Sequence, residues 1–113
     1  MSKQAKTLTA QELRRALDYV ATRRHAARNR AMLMTMYLAS MRVGECAALR
    51  YEDVLDAEGT VRCEIRLDAE QTKGRYGRVV FVSDKLRKEL QAYVRTVPYK
   101  AVTDKLFYTQ KKD

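Results

Sequence analysis

The segment "SMRVGECAALRYEDV", residues Ser40–Val54, decides the fold because it places an arginine directly after the longest apolar run of the chain. That run covers residues 31–41, and its only polar side chains are Thr35 and Ser40. A guanidinium at the edge of a core is costly to desolvate unless an anionic group meets it. The position of Arg42 therefore predicts an anionic partner.

Two partners for Arg42 are open from the residues alone. Glu45 lies three positions later, where an i, i+3 ion pair contributes only about 0.2–0.5 kcal/mol on an exposed helix. A phosphate is the alternative, because a planar and permanently charged guanidinium on a rigid helix end binds phosphate oxygens in pairs. Both interpretations are compatible with the sequence, and both interactions can occur together.

Apolar spacing predicts helices on both sides of this segment. Thr9 and Glu12 have the spacing of a capping box, and Ser83 is placed to cap the last helix. The second helix is apolar on all sides from Ala31 onward, so we expect it to be the buried central helix of the domain. The four predicted helices cover residues 10–23, 27–40, 43–50 and 84–97.

The apolar period changes from 3.6 to 2 after the quoted segment. Residues 61–67, "VRCEIRL", alternate apolar and charged side chains, which predicts a half-buried strand with Cys63 facing inward. Residues 78–82, "RVVFV", predict a second strand. Two glycines between the strands indicate a hairpin with Lys73 and Arg75 near its tip. The predicted fold is α+β and mostly helical, with helices around a small antiparallel sheet.

The composition favours a nucleic-acid partner. The 113 residues include 23 Lys and Arg against 14 Asp and Glu, which gives a net charge of +9. A charge of this size attracts polyanions. The apolar run is shorter than the ~20 residues that span a bilayer. The N-terminal segment lacks the apolar stretch that a signal peptide contains. We therefore expect a cytoplasmic protein that does not bind membranes.

The cysteines and the histidine do not form a metal motif. Cys46 and Cys63 are the two cysteines, and His25 is the single histidine. Neither cysteine lies in a Cys-x-x-Cys or Cys/His cluster, and zinc would need an unusual mixture of ligands. We predict no metal site, no other cofactor, and two reduced cysteines.

The ordered set of segments resembles the first half of the catalytic domain of the tyrosine recombinases, the phage-integrase type. That family has a buried helix, then Gly-Leu-Arg-Ile/Val-x-Glu-Leu, a strand, a hairpin with a lysine, a valine-rich strand, a helix and a Leu-Phe step. The matching segments here are "SMRVGECAALRYEDV", "QTKGRYGRVVFVSDKLRKEL" and "KLFYTQ". The resemblance extends from about Leu8 to Tyr108. Ser40-Met41 stands where Gly-Leu is usual, and Cys46 replaces a leucine.

The resemblance implies a chemistry and assigns residues to it. Family members cut double-stranded DNA with a tyrosine that attacks the scissile phosphate, and they use neither a metal nor a nucleotide. Arg42 aligns with the first catalytic arginine, and Glu45 with the glutamate that supports it. Lys73 aligns with the lysine that protonates the leaving 5′-oxygen, although its spacing alone would favour a solvated turn residue. The expected DNA-binding residues flank that hairpin: Arg62, Arg66, Arg75 and Arg78.

The resemblance also implies what this chain does not contain. The family's second arginine, later histidines and nucleophilic tyrosine follow the Leu-Phe step, and a core-site-binding domain precedes the catalytic domain. His25 precedes Arg42 and is not carried over, and none of the 7 tyrosines lies in the nucleophile context. We therefore expect residues 1–113 to be a partial catalytic domain of a site-specific recombinase of a mobile element, inactive alone.

Two further expectations concern partners. A non-catalytic relative that binds DNA or a recombinase as a regulatory module remains open as an alternative function. In the family fold, helices after the Leu-Phe step cover the central apolar helix. We therefore expect this chain either to associate with itself or another recombinase subunit, or to cover that helix with its last helix.

Overall fold

The computed structural model describes residues 8–67, 77–96 and 101–107. These residues form an α+β fold that is mostly helical, with one two-stranded antiparallel sheet, and the predicted fold class is confirmed. The elements in chain order are α1 (Ala10–Val20), α2 (Ala26–Leu38), α3 (Val43–Ala48), α4 (Tyr51–Val54), β1 (Glu64–Leu67), β2 (Arg78–Phe81) and α5 (Asp84–Thr96).

Helix α1 begins at the predicted capping box. The Thr9 hydroxyl accepts the Glu12 backbone N–H at 3.1 Å, and the Glu12 carboxylate accepts the Thr9 backbone N–H at 3.0 Å. The helix ends at Val20, three residues before the predicted end at Arg23. The Arg23 guanidinium instead lies 4.6 Å from the centre of the Tyr19 ring. This local cation–π contact stabilises a turn after the helix.

Helix α2 is not buried on all sides, so that prediction is wrong for the described part of the chain. Only Ala31, Met34 and Thr35 of this helix are buried. It packs against α1, α3 and α5, and these elements cover only part of its circumference. Several of its apolar side chains are therefore only partly buried: Met32, Leu33, Met36, Tyr37 and Leu38.

The predicted third helix ends two residues early, and a short helix that was not predicted follows it. Helix α3 ends at Ala48, and Leu49 has an extended backbone. Helix α4 begins at Tyr51, where the Tyr51 backbone N–H donates to the Asp104 carbonyl at 3.1 Å. Leu49 is completely buried. The break between the helices therefore brings the later segment, residues 101–107, against the core.

Strands β1 and β2 pair as predicted, with Ile65 opposite Val80 and Leu67 opposite Arg78. Ile65, Leu67 and Val80 are buried on the inner face of the sheet. The prediction that Cys63 faces inward is wrong, because the chain bends at this residue and its side chain is exposed. The predicted hairpin tip lies outside the described residues.

Helix α5 and the Leu-Phe step close the core. Ser83 caps α5 as predicted, and its hydroxyl accepts the Leu86 backbone N–H at 3.2 Å. The Tyr93 hydroxyl donates to the Leu106 carbonyl at 2.7 Å, and Phe107 is buried beside it. Within the described ranges, no helix has the length and apolar content needed to cross a membrane.

Candidate functional site

Arg42 lies where the chain leaves the core and enters α3. The preceding Met41 is completely buried, whereas the Arg42 side chain is partly exposed at the N-cap position of the helix. The turn before it contains Ser40 in a left-handed conformation, with φ of +54°. This conformation costs a non-glycine residue about 1 kcal/mol. Glycine adopts this conformation without that cost, and glycine is the residue at this position in the pattern that the sequence resembles.

Glu45 is the buried carboxylate of this site. Only 3% of the residue is exposed, and its Oε1 atom accepts the Arg42 backbone N–H at 3.0 Å. Arg78 donates to the same carboxylate twice, from Nη2 to Oε1 at 2.6 Å and from Nε to Oε2 at 3.1 Å. Glu45 therefore joins the start of α3 to the start of β2 through Arg78, which lies 33 residues later in the chain.

Glu45 is held in its ionised form. Burial raises the pKa of its carboxyl group, but the hydrogen bonds from Arg78 and from the Arg42 backbone, together with both positive charges, outweigh that effect. The net result is a pKa below the usual value for glutamate. The hydrogen bond to Glu45 in turn raises the pKa of Arg78. The pair is therefore fully charged at neutral pH.

The guanidinium of Arg42 does not form the i, i+3 ion pair that the sequence allows. Among the described residues, the salt bridge of Glu45 is with Arg78. Arg42 contributes its backbone N–H to Glu45, while its positive charge lowers the pKa of that carboxyl group from a distance. In the described part of the chain, the Arg42 side chain has no hydrogen-bond acceptor, so we take its N–H donors to be available to an external anion.

The other predicted DNA-binding arginines lie in different surroundings. Arg66 is exposed on the outer face of the sheet, opposite Val79, whereas Arg78 extends from the inner face. Arg62 is also exposed and lines a shallow groove with Arg66. The groove is mixed in charge because it also contains Glu52, Asp53, Asp56, Glu64 and Arg87. Lys73 and Arg75 lie outside the described residues.

The single histidine stands apart from this site. His25 and Arg28 have the spacing of a His-x-x-Arg motif, but both precede Arg42 in the chain. His25 is exposed before α2, with φ of +60°. Arg28 donates two hydrogen bonds to the Asn29 side chain, at 2.7 and 3.1 Å. These contacts stabilise the start of α2 locally.

Neither cysteine is placed for metal binding. In the described ranges, no group of three or more His, Cys, Asp or Glu side chains could hold a metal ion. Cys46 is buried beside Glu45, and burial, with a smaller effect of the Glu45 charge, raises its pKa to about 12. The Cys46 thiol is therefore protonated at neutral pH and packs in the core.

The contact between Glu45 and Arg78 was missed by sequence reasoning, although one signal was present. Arg78, Val80 and Val82 have the alternation of a strand, and the latter two are apolar. An arginine in register with inward-facing valines needs an anionic partner inside the fold. The sequence does not identify that partner as Glu45.

Comparisons with known proteins agree with this arrangement of elements. The model of the phage integrase family matches residues 6–113. A solved structure with a similar fold is the crystal structure of XerA recombinase, with a TM-score of 0.62 and 23% sequence identity. The match covers 96% of this chain and 36% of that chain, so this chain spans about a third of the solved protein. No curated protein matches this chain.

Proposed function

Because this chain belongs to the phage integrase family, we propose that it is the DNA-binding part of a site-specific recombinase, in which Arg42 contacts the phosphate to be cut. The observation that carries the proposal is that the two arginines make different contacts with Glu45. Arg78 neutralises the buried carboxylate, while the guanidinium of Arg42 at the start of α3 remains available for another anion.

Arg42 would act by stabilising charge. Attack on a phosphodiester places additional negative charge on the non-bridging oxygens, and a fixed guanidinium can donate two hydrogen bonds to them. An arginine does not release its proton at neutral pH, so the leaving 5′-oxygen needs another acid. Lys73 is the proposed acid, since the family resemblance aligns it with the lysine that serves this purpose.

The wider DNA surface is proposed to include the arginines near the hairpin. The net charge of +9 supports binding to the backbone of double-stranded DNA without strong sequence preference. Arg62, Arg66 and Arg75 are proposed backbone contacts. The carboxylates in the groove beside Arg62 and Arg66 reduce the local positive potential. The individual contributions of Arg62 and Arg66 should therefore be smaller than that of Arg42.

We expect the substitution Arg42→Ala to weaken binding to a fluorescently labelled duplex. The loss of one phosphate contact should also reduce the slope of log Kd against log salt by about one. Fluorescence anisotropy over a salt series measures both quantities. Arg95→Ala is the matched control, because it removes an exposed arginine from the last turn of α5.

The proposal is contradicted if the two variants behave alike. Equal losses of affinity would mean that binding to the duplex depends only on the net charge of the chain. Absence of binding by the unsubstituted chain at low salt would exclude DNA contact altogether.

A further inference from the structure

We infer that Arg78 is a positioning residue, which keeps Arg42 available to DNA phosphate by occupying Glu45. The inference rests on the proposed function of Arg42. It gives Arg78 a different role from the direct DNA contact that its position beside the hairpin suggests. In this inference the Glu45–Arg78 pair does more than join α3 to β2, because it also prevents Glu45 from binding the Arg42 guanidinium.

The geometry of the carboxylate supports this role. Each oxygen of Glu45 receives at least one hydrogen bond, with Oε1 accepting the Arg42 backbone and Nη2 of Arg78, and Oε2 accepting Nε of Arg78. The pair is bidentate, which fixes the orientation of both side chains. Because Glu45 is only 3% exposed, water cannot replace Arg78 as its partner at low cost.

The consequence for Arg42 follows from the charge of Glu45. A buried carboxylate without a cation is strongly unfavourable, and it would recruit the nearest positive group. Arg42 already interacts electrostatically with Glu45 and belongs to the same helix start. Without Arg78, the Arg42 guanidinium would turn toward Glu45 and form the i, i+3 ion pair. Its donors would then be unavailable to phosphate.

Arg78 also begins β2, the strand that follows the segment containing Lys73 in the chain. It stands opposite Leu67 in the last described pair of the sheet. The Glu45–Arg78 pair therefore attaches the start of β2 to the helix start that includes Arg42.

The test compares Arg78→Met in two backgrounds, with Glu45 present and with Glu45→Gln. We expect Arg78→Met alone to weaken duplex binding roughly tenfold, because Arg42 would then no longer donate charged hydrogen bonds to the phosphate. In the Glu45→Gln background the carboxylate is gone, so Arg42 stays free and Arg78→Met should change the affinity less than twofold. Arg78→Lys should recover only part of the loss, because an ammonium group does not reproduce the bidentate pair.

A direct DNA contact by Arg78 predicts a different pattern. The same loss would then occur with glutamate and with glutamine at position 45, and that outcome would overturn the inference while leaving the proposed role of Arg42 intact. Adding Arg78→Met to Arg42→Ala separates the accounts again, since a positioning residue adds little once Arg42 is absent. If Arg42→Ala does not weaken binding more than its control, both the proposed function and this inference fail.

Loss of folding does not obscure the comparison. Arg78→Met alone removes the bidentate partner of a buried carboxylate and is the variant most prone to unfold. The double variant, Glu45→Gln with Arg78→Met, lacks the buried carboxylate. The ratio of its affinity to that of Glu45→Gln therefore tests direct DNA contact by Arg78 even if the single variant is unfolded. Thermal unfolding followed by circular dichroism identifies which variants are folded at the temperature of the binding assay.

Discussion

At the scale of single residues, the ionisation of Glu45 links the site to stability. Its pKa in the folded chain lies below the usual value, because the contacts with Arg78 and the Arg42 backbone outweigh the effect of burial. A lowered pKa contributes stability that is fully present above the pKa of the unfolded chain, about 4.3 for glutamate. That contribution is lost as the pH falls through the lower pKa of the folded chain.

The prediction at this scale concerns unfolding in acid. The free energy of unfolding of the unsubstituted chain should exceed that of Glu45→Gln by a constant amount at neutral pH. The difference should narrow as the pH falls below about 4.3, because protonation removes the charge that Arg78 stabilises. Urea unfolding at several pH values measures it, with Glu58→Gln as a control at an exposed carboxylate. A difference that widens in acid would contradict the assigned pKa direction.

At the scale of elements, the features that the sequence predicted correctly are those decided within a few residues. The capping box of Thr9 and Glu12 and the cap at Ser83 depend on residues three positions apart. The same reasoning failed where a particular contact ends or bends an element. Arg23 packs on Tyr19 beyond the end of α1, and the bend at Cys63 interrupts the alternation of the first strand.

The candidate site shows the same division between local and long-range determinants. Arg42 and Glu45 were identified together because their spacing and the family pattern are local. The pairing of Glu45 with Arg78 joins residues 33 positions apart, so it depends on the register of the sheet and its packing against α3. Local spacing allowed an Arg42–Glu45 ion pair, but in the fold Arg78 forms the salt bridge with Glu45.

The partly buried side of α2 leads to the prediction at this scale. Met32, Leu33, Met36, Tyr37 and Leu38 remain partly buried although α5 packs against the helix. Apolar surface of this kind favours association, so we expect the sedimentation coefficient to rise with protein concentration. We propose that the associating partner is a second copy or another recombinase subunit. A strict monomer that binds no dye for exposed apolar surface would contradict this expectation.

At the scale of the whole molecule, we propose that the 113-residue polypeptide binds DNA without cutting it. Tyr51 and Tyr93 are buried, and Tyr19 lies beneath the Arg23 guanidinium. The family resemblance aligns none of the 7 tyrosines with the nucleophile. We therefore expect no covalent adduct on a nicked duplex that traps phosphotyrosyl intermediates. A denaturation-resistant adduct, abolished by substituting one tyrosine with phenylalanine, would contradict this proposal.

The most direct test of the central claim is to observe the two arginines while DNA is added. In a ¹⁵N-labelled chain, the Nε–H signals of Arg42 and Arg78 can be assigned by substituting each with lysine. We predict that a short duplex shifts the Arg42 signal, whereas the Arg78 signal stays at its starting position because its Nε–H remains bonded to Glu45. A shift of the Arg78 signal with the Arg42 signal unmoved would contradict the account.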